Sequence, residues 1–171
     1  MLMAFWEVQR LTREISDLER QAMRVRNRLT HYQNYASKLG STSVMAMGNI
    51  AGLSAELLPR ATMFAQYSNQ ASSMSAMQQM QMYKMNGLVP WTGNQYTQMQ
   101  YEMSAFARFK EQSMKALKQQ EIDAMAEIEK EIELELNDIE NRLKTKKAMK
   151  DSCQNLMKER IQDFVPKFGL G

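Results

Sequence analysis

Turn-forming residues are nearly missing from this chain. Seven Gly and three Pro in 171 residues are about half the usual share, leaving little material for the turns of a sandwich, a barrel or a doubly wound sheet. Thr, Val and Ile are scarce as well, which removes the commonest strand formers. A single Cys excludes a disulfide framework within the chain, and a single His excludes a multi-His metal site. No stretch reaches 18 uncharged apolar residues, so a conventional transmembrane helix is not expected. The start, Met1-Leu2-Met3-Ala4-Phe5-Trp6-Glu7, has no basic segment followed by an apolar one. It predicts cytoplasmic synthesis without a signal peptide, with export by a leaderless route left open. A dominant charge is lacking too: 22 Lys and Arg against 19 Asp and Glu leave +3, too little to imply a nucleic-acid partner.

What is present in quantity is Met (17 residues), with Ala, Gln, Glu, Lys and Leu, a mixture that favours helix. The N-terminal segment is the most periodic. Ala4, Val8, Leu11, Ile15, Leu18, Ala22, Val25, Leu29, Tyr32, Ala36 and Leu39 follow alternating steps of four and three. Those are five unbroken heptads, the pattern of a coiled-coil seam. They predict a helix over 3–39, closed by Gly40 just past its end, with Ser41, Thr42 and Ser43 available to cap a second helix.

From 44 to 86 the composition changes. Between Gly40 and Tyr101 the only charged residues are Glu56, Arg60 and Lys84. The spacing predicts a helix over 44–86 that Pro59 kinks or restarts, followed by a turn over 87–94 that holds Gly87, Pro90 and Gly93. From 95 to 164 there is neither Gly nor Pro. Met114, Leu117, Met125, Ile128, Ile132, Leu136, Ile139 and Leu143 repeat every 11 residues, which gives a straight or slightly right-handed helix pair. Residues 165–171 read as a short extended tail. At 1.5 Å per residue the arms on either side of 87–94 match, at roughly 120 Å and 105 Å. The expected fold is therefore all-α: one helical domain folded as a long antiparallel hairpin, its first arm broken near Gly40 and kinked at Pro59, with a compact bundle of three or four helices bending at Gly40 and Pro59 as the alternative.

A hairpin this thin buries one stripe per helix and leaves apolar surface for contact with copies of itself or another protein. The residues expected to carry self-association are Leu11, Ile15, Leu18, Val25 and Leu29 on the first helix and Gly48 and Gly52 in a small-xxx-small motif. Met74, Met77, Met80 and Trp91 follow at the neutral end. Ile128, Ile132, Leu136 and Ile139 stand on the last helix, and Phe164 and Phe168 in and beside the tail, which could dock on a neighbouring subunit. Residues 121–140 hold nine acids and one Lys. Folding about residue 90 would place them opposite the neutral 40–60 and away from Arg20, Arg24, Arg26 and Arg28. That predicts pairing with a staggered neighbour.

Chemistry-bearing constellations are few. Met74, Met77, Met80, Met82 and Met85 are soft thioethers of the kind that select Cu(I), but Met is also a helix former that fills irregular gaps. Packing is the plainer reading, and no cofactor or metal is expected. His31 lies one residue before the seam position Tyr32 and belongs on the surface. Cys153 has no His or acid constellation, the 121–140 carboxylates lack a Glu-x-x-His companion, and no phosphate loop or dinucleotide fingerprint occurs. The charge-poor 44–58 run ends at Glu56 and is short for a membrane span, so membrane contact is the weaker reading.

Trp91-Thr92-Gly93 in the turn resembles the WXG family of leaderless secreted helical hairpins, whose Trp-x-Gly marks that position. The arms here are nearly twice as long, and the family's Tyr-x-x-x-Asp/Glu tail signal is absent. The organisation is also generally similar to helical-hairpin filament subunits of bacterial secretion appendages. The sequence therefore predicts a non-catalytic structural subunit that assembles into a homo-oligomeric filament, tube or shell. The alternatives are a WXG-like or membrane-inserting hairpin and a dimeric coiled-coil adaptor for another protein.

Overall fold

The computed structural model describes residues 2–41, 53–91 and 93–164. The fold is all-α, with no strand among those residues: α1 spans Leu2–Ser41, α2 Leu58–Met85 and α3 Gln95–Phe164. Chain contacts group into two compact units, Met1–Leu29 with Lys130–Gly171 and Thr30–Glu129.

The first unit is a pair of helix segments. The seam residues Leu11, Ile15, Leu18 and Val25 of α1 are buried, as are Ile132 and Ile139 of α3. Leu29, Leu136 and Leu143 are half-buried on the same stripes. Ion pairs at the flanks give the direction. Glu14 meets Lys146 at 2.7 Å and Glu19 meets Lys147 at 2.8 Å. Further along α1, Arg26 meets Glu140 at 2.8 Å and Arg28 meets Glu135 at 3.3 Å. The numbers rise on α1 as they fall on α3, so the two segments run antiparallel.

The second unit packs three helix segments. Tyr35 and Leu39 near the end of α1, Leu57 and Ala61 at the start of α2, and Met125 on α3 form its buried cluster, against which Tyr32, Phe64, Ile122 and Ile128 pack. Beyond the cluster α2 and α3 continue alone. There the buried residues of α2 are small, Ser68, Ser72 and Ala76, before Met80. The Ser68 and Ser72 hydroxyls donate to the carbonyls of Ala65 and Asn69 in their own helix, which satisfies them without a partner across the interface. Small side chains let the two backbones approach closely.

Two expectations are corrected and a third is narrowed. Gly40 does not terminate α1: it is helical, and the helix runs on to Ser41. Only Gly87 and Gly93 adopt positive φ among the described residues, so Gly40 is not the left-handed stop that the sequence offered. At Pro59 the second of the two expected outcomes holds: the proline restarts a helix and does not kink a running one. Residues 53–57 are non-helical and α2 begins at Leu58, with the proline in its first turn, where its missing N–H has no helical acceptor to lose. The remainder of the expected 44–86 helix, with Gly48 and Gly52, lies outside the described residues, as do Phe168 and the tail; nothing is described of the Phe164 side chain.

The second correction concerns register. The acidic stretch does meet the arginines of its own chain, through Arg26–Glu140 and Arg28–Glu135. Simple folding about residue 90 requires helical rise throughout 44–57, and 53–57 are non-helical. In fact Tyr35 of α1 and Arg60 of α2 both reach the same α3 residue, Glu121. With α1 and α2 brought to one point on α3, α1 meets α3 at lower-numbered positions than simple folding would give.

The expected turn is present. The Gly87 and Leu88 amides donate to the carbonyls of Lys84 (3.2 Å) and Tyr83 (3.0 Å), the paired bonds of a Schellman stop with glycine in the left-handed region. Asn94 then caps α3, its side-chain oxygen accepting the Tyr96 amide at 3.0 Å.

Candidate interaction surface

α2 turns one narrow face to α3 and the other to solvent. The inner side is Ala61, Ser68, Ser72, Ala76 and Met80. The outer side carries Met63, Tyr67, Met74, Met77, Met82 and Met85, all exposed. No charge occurs between Arg60 and Lys84. The exposed apolar surface continues through Leu88 and Trp91 into Tyr96, Met99 and Met103 at the start of α3. Scattered surface hydrophobes are ordinary, but so many exposed large apolar side chains on one charge-free face, interspersed with the uncharged Gln66, Gln70, Gln78 and Gln81, are the usual mark of an interaction site.

The methionines do not share one side. Met74 and Met77 are 58% and 57% exposed, whereas Met80 is 8% exposed and faces the interior. A step of three residues turns a helix by about 300° rather than a full circle, so two such steps carry Met80 away from Met74. That split leaves no converging thioether set for a soft metal. Among the described residues no three His, Cys, Asp or Glu side chains are grouped to hold an ion either. Trp91 is 73% exposed and stands beside the methionine face. His31 is exposed, as its register position implies, and Cys153 is half-buried. No described helix is long and apolar enough to cross a membrane.

Beside the patch lies a shallow groove of about 460 Å³ between α2 and α3, lined by Ala71, Ser75, Ser113, Ala116, Leu117 and glutamines. Ser113 donates to Ser75 across it at 2.9 Å. Nearer the turn, Tyr83 packs on Phe109 with ring centroids 4.9 Å apart, and Lys84 meets Glu102 at 2.6 Å. Lys84 holds the Glu102 carboxyl below the usual carboxylate range, helped by a hydrogen bond from Gln98. These contacts hold α2 and α3 together and leave the methionine face free of polar obligations.

The other polar feature is the cluster at the three-helix meeting point. Arg60 clasps Glu121 through Nε at 2.7 Å and Nη2 at 3.2 Å, and the Tyr35 hydroxyl donates to the same carboxylate at 3.3 Å. Tyr35 is wholly buried. Burial first, and then the Glu121 charge, push its ionisation well above the ordinary tyrosine value of 10.0. The unfolded chain ionises this hydroxyl near 10 and the native one does not, so its share of stability is complete below pH 10. Above that it falls by up to about 1.4 kcal/mol per pH unit as the native value is approached. Tyr35→Phe is expected to flatten this alkaline decline, measured by urea unfolding between pH 9 and 11.5. An unchanged slope would remove Tyr35 as its source.

Of the side chains expected to mediate self-association, Leu11, Ile15, Leu18, Val25, Ile132 and Ile139 are consumed in the first unit's own seam. Ile128 packs against the second unit's core. Only Met74, Met77 and Trp91 among the described ones stand free. Sequence reasoning missed the small inner face of α2. Its signal was there: Ala61, Ser68, Ser72 and Ala76 are spaced by seven, four and four, a helical stripe of small rather than large residues.

No protein-family model matches the chain, and no curated protein or solved structure is similar to it.

Proposed function

We propose that the protein is a non-catalytic structural subunit whose three helices form a long antiparallel hairpin and which self-associates into a filament, tube or shell. One observation carries the reading: the charge-free face of α2, with Met63, Tyr67, Met74 and Met77 outward and Trp91 beyond it. A surface without charge offers nothing to repel an identical surface. Flexible thioethers adapt their shape to it at little conformational cost. The hairpin finds support in the antiparallel course of α3 against α1 in one unit and against α2 in the other. Export to the cell surface through a leaderless route fits such a subunit and belongs to the same proposal.

Sedimentation velocity and electron microscopy test it. The full chain should form large species as concentration rises. Met74→Glu with Met77→Glu should hold it at the size of one chain while circular dichroism stays helical, because both side chains are exposed. Removal of 164–171 separates the adaptor alternative, since a polymer subunit loses assembly while an adaptor retains its dimer. A wild-type chain that stays monomeric at every concentration overturns self-association.

A further inference from the structure

The first unit carries two surface features, a groove and a knob, beside its ion pairs. On one flank of the α1–α3 pair lies a groove of about 660 Å³, floored by Ala22, Met23 and Leu143 and rimmed by Lys144. Met23 is 66% exposed there. The neighbouring charges are spent, Glu19 on Lys147 and Arg26 on Glu140, but Lys144 has no ion pair with any described residue. The second feature is a knob on the back of α3. Leu134 is 70% exposed, on the side of the helix away from the buried Ile132 and Ile139. Lys130 and Glu131 stand four and three residues before it and Asp138 four after, on the same side, with Glu127 one turn further, so the charge around the knob is net acidic. Glu131 pairs with no described residue, and Asp138 reaches only Arg142, at 3.9 Å. An apolar side chain flanked by spare acid thus shares a unit with an apolar groove edged by spare base.

We propose that the groove takes the Leu134 knob of a second copy of this chain, with Leu134 on Met23 and Leu143 and Glu131 against Lys144. Charge complementarity selects a second copy: the knob is net acidic and the groove's Lys144 basic, and both are left over once the ion pairs among the described residues are counted. The two surfaces are different patches, so the contact is heterologous. Each copy offers a knob to one neighbour and a groove to another, and such contacts propagate rather than close after two. The inference rests on the self-association reading and adds a second, directional contact to the neutral α2 face.

Charge reversal tests the contact. Lys144→Glu alone sets acid against acid, and Glu131→Lys alone sets base against base. Each should weaken assembly about tenfold by light scattering, with unchanged circular dichroism because both residues are exposed. Mixing the two variants in equal amounts should restore assembly, since each groove then meets a knob of opposite charge on the other variant. Leu134→Ser should weaken assembly without rescue by either. Reversals that leave a wild-type-like polymer, or variants that fail to rescue one another, overturn this contact while the α2 reading stands. A wild-type chain that never assembles overturns both.

Discussion

Met125→Ala is expected to lower the free energy of unfolding by about 3 kcal/mol, within the usual range for emptying a fully buried methionine site. Met125 sits where α1, α2 and α3 meet, against Tyr35, Leu39, Leu57 and Ala61, with none of its surface exposed. A cavity there loses contacts to three segments at once, and two of those neighbours are too bulky to rotate into it without leaving their own packing. Met99→Ala is the control. It removes the same atoms from an exposed position on the same helix, and a surface change of this kind should stay within about 0.5 kcal/mol. Urea midpoints of the two variants give the comparison directly. If Met125→Ala moves the midpoint no further than Met99→Ala, the three-segment cluster is not the anchor of the second unit.

The helices themselves were legible from the sequence because their signals are long and redundant. The heptads of α1 place Leu11, Ile15, Leu18, Val25 and Leu39 inside, and they are buried. α3 occupies the stretch without Gly or Pro, and its 11-residue pattern marks the buried or half-buried residues from Met114 to Leu143. Asn86-Gly87 ends α2 because a glycine there can take the left-handed conformation that the stop requires. Gly40 fails by the same logic. A glycine permits a helix to end without compelling it, and here the chain stays helical one residue further.

The register of α2 on α3 was legible, since Arg60 meets Glu121 and Lys84 meets Glu102 close to where folding about residue 90 places them. That of α1 on α3 was not, because Leu39 and Leu57 end up in one cluster. No local propensity reports a non-local return of that kind. Tyr35 was missed for a related reason. A two-helix seam has room for Tyr32, Ala36 and Leu39, and only the arrival of α2 as a third segment widens the buried stripe to include Tyr35. The candidate surface was half legible: the charge-free stretch was evident, but which methionines face outward depends on which side of α2 the small residues give to α3.

Glu121→Ala should be the most costly polar substitution, at about 2–3 kcal/mol. The carboxylate is 14% exposed and accepts from both Arg60 and Tyr35. Its loss leaves the buried Tyr35 hydroxyl without its acceptor and the guanidinium beside an apolar cluster. Truncating Arg60 is the milder change, because that side chain is 38% exposed. Solvent screens its charge, and water can replace it at the carboxylate, so about 1 kcal/mol is expected. The asymmetry is the informative part, since a simple surface ion pair would lose the same small amount whichever partner is removed. Tyr35→Phe combined with Glu121→Ala should cost less than the two changes summed, because the phenylalanine no longer needs an acceptor. Urea unfolding of the four chains in that cycle, at neutral pH and fixed salt, measures the coupling. A coupling near zero would mean that Tyr35 is held by packing alone, and the α1–α2–α3 meeting point would then be an apolar cluster with an incidental ion pair at its edge.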